Sequence, residues 1–290
     1  MAFNAPTPAD DATCLITGCS SGIGAAIARE LAGRGFNVDV VARRQEPLSN
    51  LASELERTNG VRATTHVCDV NDAAARNGVL DAISDRGDQI VVLVNNAGLG
   101  VSGRLNKIER SRVTQLIDTN VRSLTALLHQ VAAQMAERGG GAILNVASTA
   151  SFQPSPRESL YTASKAYVKS LSDALHVELA PAGVGVTSLC PGLTHTEFHD
   201  VAGLDDSWAN TPELIWMDAG DVARQAVDGL LAGKRCVIPG WVNKVSAFFG
   251  QATPRPVLLR AARVLLPTGK YPDSSSYSGK LAKRSDDGPA

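Results

Sequence analysis

The stretch CLITGCSSGIG at residues 14–24 decides how the chain is interpreted. Residues 14–17 form a short apolar run that is typical of a buried strand, and a glycine-rich turn joins it to an alanine-rich helical pattern. Glycines at such a turn let the backbone approach a pyrophosphate, and the helix N-terminus adds amide donors and a positive dipole. Because the turn follows the first strand directly, we interpret it as a phosphate-binding turn. A purely structural tight turn is the alternative.

Outward from this turn, short apolar runs alternate with amphipathic helical patterns along the chain. We expect strands at residues 14–17, 38–42, 63–68, 90–95, 142–147, 184–190 and 236–238. We expect helices at about residues 22–34, 46–58, 72–86, 111–138, 160–181 and 219–232. This alternation predicts an α/β fold with a Rossmann-type, doubly wound parallel sheet of seven strands.

The alternation continues to residue 238 without a linker, which predicts one dinucleotide-binding catalytic domain over residues 1–240. Residues 193–217 lack a clear period, as expected of a lid on the substrate side. Residues 241–270 are predicted to form a basic helical extension that prolines divide, and residues 271–290 a disordered tail.

Composition excludes several classes of protein. Hydrophobic residues make up 44% and charged residues 20% of the chain, which argues against a disordered protein. No apolar run reaches the length of about 18 residues that a membrane-spanning helix needs, and residues 1–13 do not resemble a secretory signal. The 5 cysteines are widely spaced, so we interpret them as small buried side chains in a reducing cytosol. We therefore expect a cytoplasmic protein without a metal site.

Charge is distributed unevenly along the chain. Residues 1–233 carry 18 basic and 26 acidic side chains, whereas residues 234–290 carry 10 basic and 3 acidic ones. A basic C-terminal segment on an acidic body suggests an anionic neighbour, such as a membrane surface, an acidic carrier or the body itself. A solvated surface is the alternative.

The glycine spacing and a second motif together resemble one known family. The pattern T-G-x-x-x-G-x-G at residues 17–24, with Asn95-Asn96-Ala97-Gly98 after the fourth strand, resembles the short-chain dehydrogenase/reductase family over roughly residues 12–240. The resemblance implies a nicotinamide dinucleotide cofactor. It implies cofactor contacts from Gly18, Ser20, Ser21, Gly22, Ile23, Gly24, Asp69, Val70, Asn95, Ala97, Gly98, Pro191, Gly192, Thr194 and Thr196. For Asp69 the alternative role is that of a helix cap.

The end of the second strand indicates which dinucleotide is preferred. Folds that bind NAD place an acid there to hold the ribose 2′-hydroxyl. This chain has Ala42 followed by Arg43 and Arg44, so no carboxylate repels a 2′-phosphate and a guanidinium is at hand to bind it. We expect NADP(H), although both arginines are alternatively only solvated.

Tyr161 and Lys165 lie one helical turn apart and therefore on one helix face. A phenol is a poor acid near neutral pH, and a neighbouring ammonium lowers its pKa. The resemblance assigns Tyr161 as general acid in carbonyl reduction, Ser148 as hydrogen-bond donor to the carbonyl, and Lys165 as ribose ligand that lowers the pKa of Tyr161. It also matches Asn120 to a family residue whose helix distortion holds a water for proton relay.

These motifs predict an NADP(H)-dependent oxidoreductase that interconverts a ketone and a secondary alcohol. The C-terminal segment resembles the branch that includes ketoacyl and hydroxysteroid reductases, which implies a reductase of a lipophilic or acyl-chain carbonyl substrate. Arg157 and Glu158, between Ser148 and Tyr161, indicate either a polar substrate or a solvated pair at the mouth of the cleft. Two alternative functions are a catalytically idle dinucleotide-binding regulator and a sugar-nucleotide epimerase. The presence of Tyr161 and Lys165 disfavours the first, and the glycine spacing and the Asn-Asn-Ala-Gly run disfavour the second.

The expected partners follow from the same features. Relatives dimerise through the helices at residues 111–138 and 160–181, so a homodimer or homotetramer is expected. The apolar and basic C-terminal helices suit weak peripheral contact with a membrane, or alternatively packing on the acidic body. No nucleic-acid partner is expected.

Overall fold

The computed structural model describes residues 3–198 and 212–265 of the chain. In these residues seven parallel strands form one sheet in the order β3-β2-β1-β4-β5-β6-β7, which confirms the predicted doubly wound sheet. The strands are β1 Ala12–Thr17, β2 Asn37–Ala42, β3 Ala63–Val67, β4 Gln89–Asn95, β5 Gly141–Val146, β6 Val184–Leu189 and β7 Cys236–Val237.

Helices cover both faces of the sheet. On one face lie α1 Gly22–Gly33, α2 Gln45–Asn59 and α7 Ala219–Leu231, and on the other lie α3 Ala73–Asp85, α5 Leu124–Arg138 and α6 Ser159–Glu178. Ile16 packs into the first core and Leu15 into the second, so neither face of β1 meets water. Burial on both faces explains why the strands read as unbroken apolar runs.

The predicted single helix over residues 111–138 is wrong in one respect. The helix α4 Arg110–Ile117 is followed by a π-helical segment, Asp118–Ser123, before α5 begins. Such a segment adds one residue to a turn and is frequent at functional sites. Apolar residues continue at helical spacing on both sides of it, which is why the sequence pattern does not reveal the interruption.

The strand order reverses at β1, which has β2 on one side and β4 on the other. In open α/β sheets ligands bind outside the carboxyl ends of the strands at such a point. The turns that follow β1 and β4 therefore face the same crevice.

The C-terminal extension contains α8 Trp241–Ala252 and α9 Arg255–Leu265, with the break next to Pro254. The predicted tail at residues 271–290 lies outside the described residues, as do residues 199–211 of the predicted lid. Among the described helices none is long and apolar enough to cross a membrane.

Candidate active site

The turn between β1 and α1 has room only for glycine at two positions. Gly18 has a φ of +76°, and a Cβ there would lie 2.7 Å from Asn96 Nδ2. A Cβ at Gly24 would lie 2.4 Å from the carbonyl oxygen of Gly18. These glycines let the first turn of α1 close directly onto the end of β1.

The N-terminus of α1 suits an anionic group. Its N-cap residue Ser21 makes no side-chain cap hydrogen bond, and its first turn holds no acidic residue. The amides of Gly22, Ile23 and Gly24 thus have no capping side chain, and the helix dipole adds positive potential. The structure fits a bound diphosphate here on both hydrogen bonding and charge.

The two predicted arginines have different surroundings. Arg44 Nη2 donates to the hydroxyls of Ser20 (3.1 Å) and Ser21 (3.2 Å) and forms an ion pair with Glu197 at 2.7 Å. Arg43 is exposed, and the described residues offer it no ion pair. Ala42 is buried at the end of β2, so no carboxylate stands where a ribose 2′-hydroxyl would be bound. Of the two arginines, Arg43 is therefore the one whose charge no described acidic side chain neutralises.

The two asparagines after β4 point to opposite sides of the chain. Asn95 Nδ2 donates to Asn145 Oδ1 at 2.9 Å inside the sheet, so this side chain has a structural role. Asn96 Nδ2 donates to the carbonyl oxygens of Thr17 (2.9 Å) and Gly18 (3.1 Å). The amides of Asn96 and Ala97 both donate to Thr17 Oγ1 at 3.1 Å. These bonds fasten the turn after β4 to the turn after β1.

Sequence reasoning did not select Thr17 or Asn96 as site residues. The signal was available, because side chains alternate along a strand and Asn95 and Asn96 must therefore face different ways. Asn243 of α8 was also missed, and nothing in the sequence separates it from a solvated helix residue. It becomes relevant because a Cβ at Gly192 would lie 2.2 Å from its Oδ1.

The π-helical segment brings Asn120 to the loop after β4. Asn120 Nδ2 donates to the carbonyl oxygen of Leu99 (2.9 Å) and to Ser164 Oγ (3.0 Å), and its Oδ1 accepts from the Leu99 amide at 2.8 Å. A Cβ at Gly98 would lie 3.3 Å from Lys165 Nζ and 3.5 Å from Asn120 Oδ1. The absence of a side chain at Gly98 thus lets Asn120 and Lys165 converge.

Ser148 and Tyr161 form a hydrogen-bonded pair at the carboxyl end of β5. Ser148 follows the strand and is 9% exposed, and its Oγ accepts from the amide of Ala150 at 3.1 Å. Burial raises the pKa of Tyr161 to about 12, the hydrogen bond from Ser148 opposes this, and the charge of Glu158 adds to it. Tyr161 is therefore a protonated phenol across the neutral range.

Lys165 lies beside Tyr161 and is itself buried. Its Nζ donates to the carbonyl oxygen of Val146 at 2.8 Å and stands 5.8 Å from the centre of the Tyr161 ring. Burial lowers the pKa of Lys165 to about 8. In the protein alone, burial of the phenol has the largest effect on the pKa of Tyr161. That Lys165 lowers this pKa stays a prediction.

The loop after β6 spans the crevice between Ser148 and the turn after β1. The carbonyl oxygen of Pro191 accepts from the Thr149 amide at 2.9 Å, which joins this loop to Ser148. Thr194 Oγ1 donates to the carbonyl oxygen of Gly192 at 3.1 Å. Thr196 reaches the other end, where its Cγ2 would lie 3.0 Å from a Cβ at Gly22.

Asp69 is exposed at the end of β3 and accepts from the Asn71 amide at 2.9 Å. The cap of α3 is Asp72, which accepts from the amides of Ala74 and Ala75, so the alternative role considered for Asp69 is wrong. Val70 contributes to a small cavity at the switch point, together with Thr17, Asn95, Ala97, Thr119, Ser123, Leu124 and Leu127.

The mouth of the cleft combines aromatic and polar groups. The Phe198 ring lies 5.6 Å from the Tyr161 ring, centre to centre. Glu158 is half-buried, burial raises its pKa, and Ser155 donates to it at 3.4 Å. Arg157 adopts a left-handed backbone with a φ of +74°, which is uncommon outside glycine. Both residues of the predicted pair are half-buried, so neither is a freely solvated surface group.

Comparison with known proteins shows which family the chain is similar to. The family model for the short chain dehydrogenase matches residues 12–206. Sulfoacetaldehyde reductase 2 of Chromohalobacter salexigens is 38% identical over 217 residues, which cover 72% of this chain and 84% of that protein.

Two solved structures share the fold over nearly the whole chain. One is a short-chain dehydrogenase from Sphingobium yanoikuyae in complex with NADPH, which is 33% identical with a TM-score of 0.73 and covers 90% of this chain and 96% of its own. The other is the bulky-bulky ketone specific alcohol dehydrogenase from Comamonas testosteroni, 30% identical with a TM-score of 0.70, covering 92% and 98%.

Proposed function

The chain belongs to the short-chain dehydrogenase/reductase family, and from this premise we propose that it is an NADP(H)-dependent reductase of lipophilic or acyl-chain ketones. The observation that carries the proposal is the convergence of Ser148, Tyr161 and Lys165 at the carboxyl edge of the sheet, next to Gly98. A catalytically idle dinucleotide-binding protein would have no need of this group.

The cofactor assignment has two supports. The turn after β1 and the uncapped N-terminus of α1 suit the diphosphate, and Arg43 offers an uncommitted guanidinium beside the buried Ala42. The similar short-chain dehydrogenase from Sphingobium yanoikuyae is in complex with NADPH. Bound NADPH would supply the hydride, as nicotinamide cofactors do.

The protein's own groups would act on the oxygen of the substrate. Ser148 donates a hydrogen bond to the carbonyl, and Tyr161, held as a neutral phenol, donates the proton as negative charge develops on that oxygen. Lys165 would bind the ribose and stabilise the phenolate that remains. Asn120 would hold the loop after β4 in place beside these groups through its two hydrogen bonds to the Leu99 backbone.

Substrate class is inferred from the mouth of the cleft. Phe198 offers an apolar face next to Tyr161, and one similar structure is named for bulky ketones. Because one similar protein is a sulfoacetaldehyde reductase, a small anionic aldehyde is the alternative substrate that the test must include. Arg157 is a cation at the mouth of the cleft that such a substrate could contact.

We also propose that the C-terminal helices contact an anionic lipid surface. On α8 the exposed side chains Trp241, Val245, Phe248 and Phe249 fall on one face, while Asn243, Ala247 and Gly250 face the protein. Residues 234–265 contain Lys234, Arg235, Lys244, Arg255, Arg260 and Arg263 and no acid. An apolar face bordered by basic residues suits the boundary of an anionic membrane. Because α8 packs on Phe152 and Gly192, such contact would place the cleft near the lipid.

We also propose a homodimer or homotetramer formed through α4, α5 and α6. Ile117 on α4 and Tyr167 and Val177 on α6 are exposed large side chains, and a two-fold axis would bury them against their own copies. Light scattering at micromolar concentration should give at least twice the mass of one chain, and a strictly monomeric mass would contradict this.

The function is tested by following NADPH absorbance with a panel of carbonyl compounds. The panel contains long-chain ketones, a β-ketoacyl thioester, small ketones and a small sulfonated aldehyde, each with NADPH and with NADH. We expect the highest kcat/KM for the long-chain or acyl substrates with NADPH. Turnover of the sulfonated aldehyde alone would contradict the proposed substrate class, and no turnover of any compound would favour the idle dinucleotide-binding protein.

A further inference from the structure

Two cysteines that are distant in the sequence meet at the end of β6. Cys190 follows β6 and is fully buried, and Cys236 begins β7 and is half-buried. Their Sγ atoms are 3.9 Å apart. Both belong to the core between the sheet and α6, so the two thiols share one face of the sheet.

The surroundings of this pair are positively charged. Lys169 is one turn beyond Lys165 on α6, and Arg235 directly precedes Cys236. Asp173 joins these two cations, because it pairs with Lys169 and lies 2.6 Å from Arg235. A half-buried thiol close to two cations is the environment in which cysteines become reactive.

The two thiols are unequal. The hydrogen bond with Cys190, the Ser188 hydroxyl and the charges of Lys169 and Arg235 lower the pKa of Cys236, although burial opposes this. The hydrogen bond with Cys236 and, after it, burial raise the pKa of Cys190. Cys236 is thus the more acidic thiol of the two.

The remaining cysteines provide a contrast within the same chain. Cys14, Cys19 and Cys68 are buried, and burial raises the pKa of each. Among the described residues, none of them is hydrogen-bonded to another cysteine. Any reactivity of Cys236 is therefore expected to be selective.

We propose that Cys236 and Cys190 form a peroxide-sensitive pair that closes to a disulfide. The Cys236 thiolate attacks one oxygen of a peroxide, the O–O bond breaks, and a sulfenic acid and hydroxide (or an alkoxide) are formed. Cys190 sulfur then attacks the Cys236 sulfur, the S–O bond breaks, and water leaves with the thiol proton. Two thiols are oxidised by two electrons in total, and the peroxide is reduced.

Closure would act on the proposed site. The sulfur atoms must approach from 3.9 Å to the bond length of about 2.05 Å, which pulls the end of β6 toward β7. Cys190 directly precedes Pro191, whose carbonyl oxygen accepts a hydrogen bond from the Thr149 amide beside Ser148. We therefore expect oxidation to inhibit turnover reversibly. This consequence rests on the proposed function, whereas the thiol chemistry does not.

The first test is chemical and uses the full-length protein with hydrogen peroxide. Brief treatment followed by alkylation and peptide mass spectrometry should yield the Cys190–Cys236 peptide with two hydrogens lost. In Cys190→Ser, a dimedone-type probe should instead trap sulfenic acid at Cys236. Cys68→Ser is the matched control and should behave like the wild type. Equal oxidation of all cysteines, or no cross-linked peptide and no trapped sulfenic acid, would overturn the proposal.

The second test measures thiol reactivity and activity. Alkylation of Cys236 by iodoacetamide at pH 7 should be about tenfold faster than that of Cys68, since Lys169 and Arg235 favour the Cys236 thiolate whereas burial disfavours that of Cys68. Peroxide should remove NADPH-dependent turnover in the wild type, a dithiol should restore it, and Cys236→Ser should resist. If the disulfide forms without loss of turnover, the link to the site is wrong. If no turnover is found at all, the proposed function fails while the thiol result stands.

Discussion

Arg43 and Arg44 are neighbours whose side chains are engaged differently. Arg44 is held by Ser20, Ser21 and Glu197, whereas Arg43 has no ion pair among the described residues. If Arg43 binds a 2′-phosphate, its loss removes one charge-assisted contact of about 1.5–3 kcal/mol. Arg43→Ala should then weaken NADPH binding by roughly one to two orders of magnitude and leave NADH almost unchanged.

Fluorescence titration of both cofactors checks this prediction. Arg44→Ala is the matched control, and its effect on the ratio of NADPH to NADH affinity should be smaller, because Glu197 already neutralises Arg44. Equal affinity of the wild-type protein for the two cofactors would contradict the assignment of Arg43.

Lys165 is a buried lysine whose proposed role in the site should cost stability. Burial lowers its pKa from 10.5 to about 8, so the folded state disfavours the ammonium by up to roughly 3 kcal/mol below pH 8. Lys165→Met should abolish turnover and raise the free energy of unfolding by about 1–3 kcal/mol at pH 7. The gain should shrink between pH 8 and 10.5, because the unfolded lysine then also loses its proton.

Urea unfolding at several pH values measures this effect. Lys169→Met serves as the control, since Lys169 has an ion pair with Asp173 and its removal should not stabilise the fold. A less stable Lys165→Met protein at pH 7 would show that burial of this lysine carries no net cost.

Among the elements, β2 and β3 are joined by a buried ion cluster far from the crevice. Asp39 is fully buried and accepts from Thr13 (2.7 Å) and Arg86 (2.8 Å), and it contacts His66 at 2.6 Å. Although burial opposes it, these hydrogen bonds lower the pKa of Asp39 below 3.8. A lowered carboxyl pKa contributes stability that is complete above the unfolded value and is lost as the pH falls through the folded value.

We therefore expect the Asp39 contribution to be complete above about pH 5 and to decline below pH 4. Asp39→Asn should lower the free energy of unfolding by about 3 kcal/mol at pH 7 and reduce its dependence on pH below 4. Chemical denaturation across this range, with exposed Asp81→Asn as control, provides the measurement. An unchanged acid profile in Asp39→Asn would assign acid unfolding to other carboxyl groups.

Sequence patterns predict the positions of helices and strands better than they predict which residues their side chains pack against. The buried run at residues 90–95 identifies β4, and the glycine spacing identifies the turn before α1. The helical period of α8 reveals an apolar stripe, but only packing on Gly192 and Phe152 shows that small residues face inward. Likewise, the pairing of Cys190 with Cys236 depends on strand order, so widely spaced cysteines read as separate buried side chains.

For the whole molecule, the exposed face of α8 predicts salt-sensitive attachment to anionic vesicles. Cutting the chain at Gly240 is a poor test, because it also removes Asn243, which packs on Gly192. Replacement of Trp241, Phe248 and Phe249 by serine alters only the exposed face. The wild type should sediment with phosphatidylserine vesicles at low salt and the triple variant should not.

The controls for attachment distinguish lipid from other occupants of this face. Neutral vesicles should bind the protein weakly, and high salt should release it. If the wild type ignores anionic vesicles at low salt, the face is not a lipid surface. If the triple variant instead changes mass in solution, the face is an interface between copies of the chain.

The central claim is that Tyr161 donates the proton in NADPH-dependent carbonyl reduction. The most direct measurement is turnover of the best ketone by Tyr161→Phe, compared with its NADPH affinity. The proposed mechanism predicts a loss of kcat of about 100-fold or more, with NADPH affinity nearly unchanged. Tyr167→Phe, which keeps its ring at the proposed interface and loses only a hydroxyl hydrogen-bonded to Thr125, should be as active as the wild type. Turnover by Tyr161→Phe within a few-fold of the wild type would contradict the proposed mechanism.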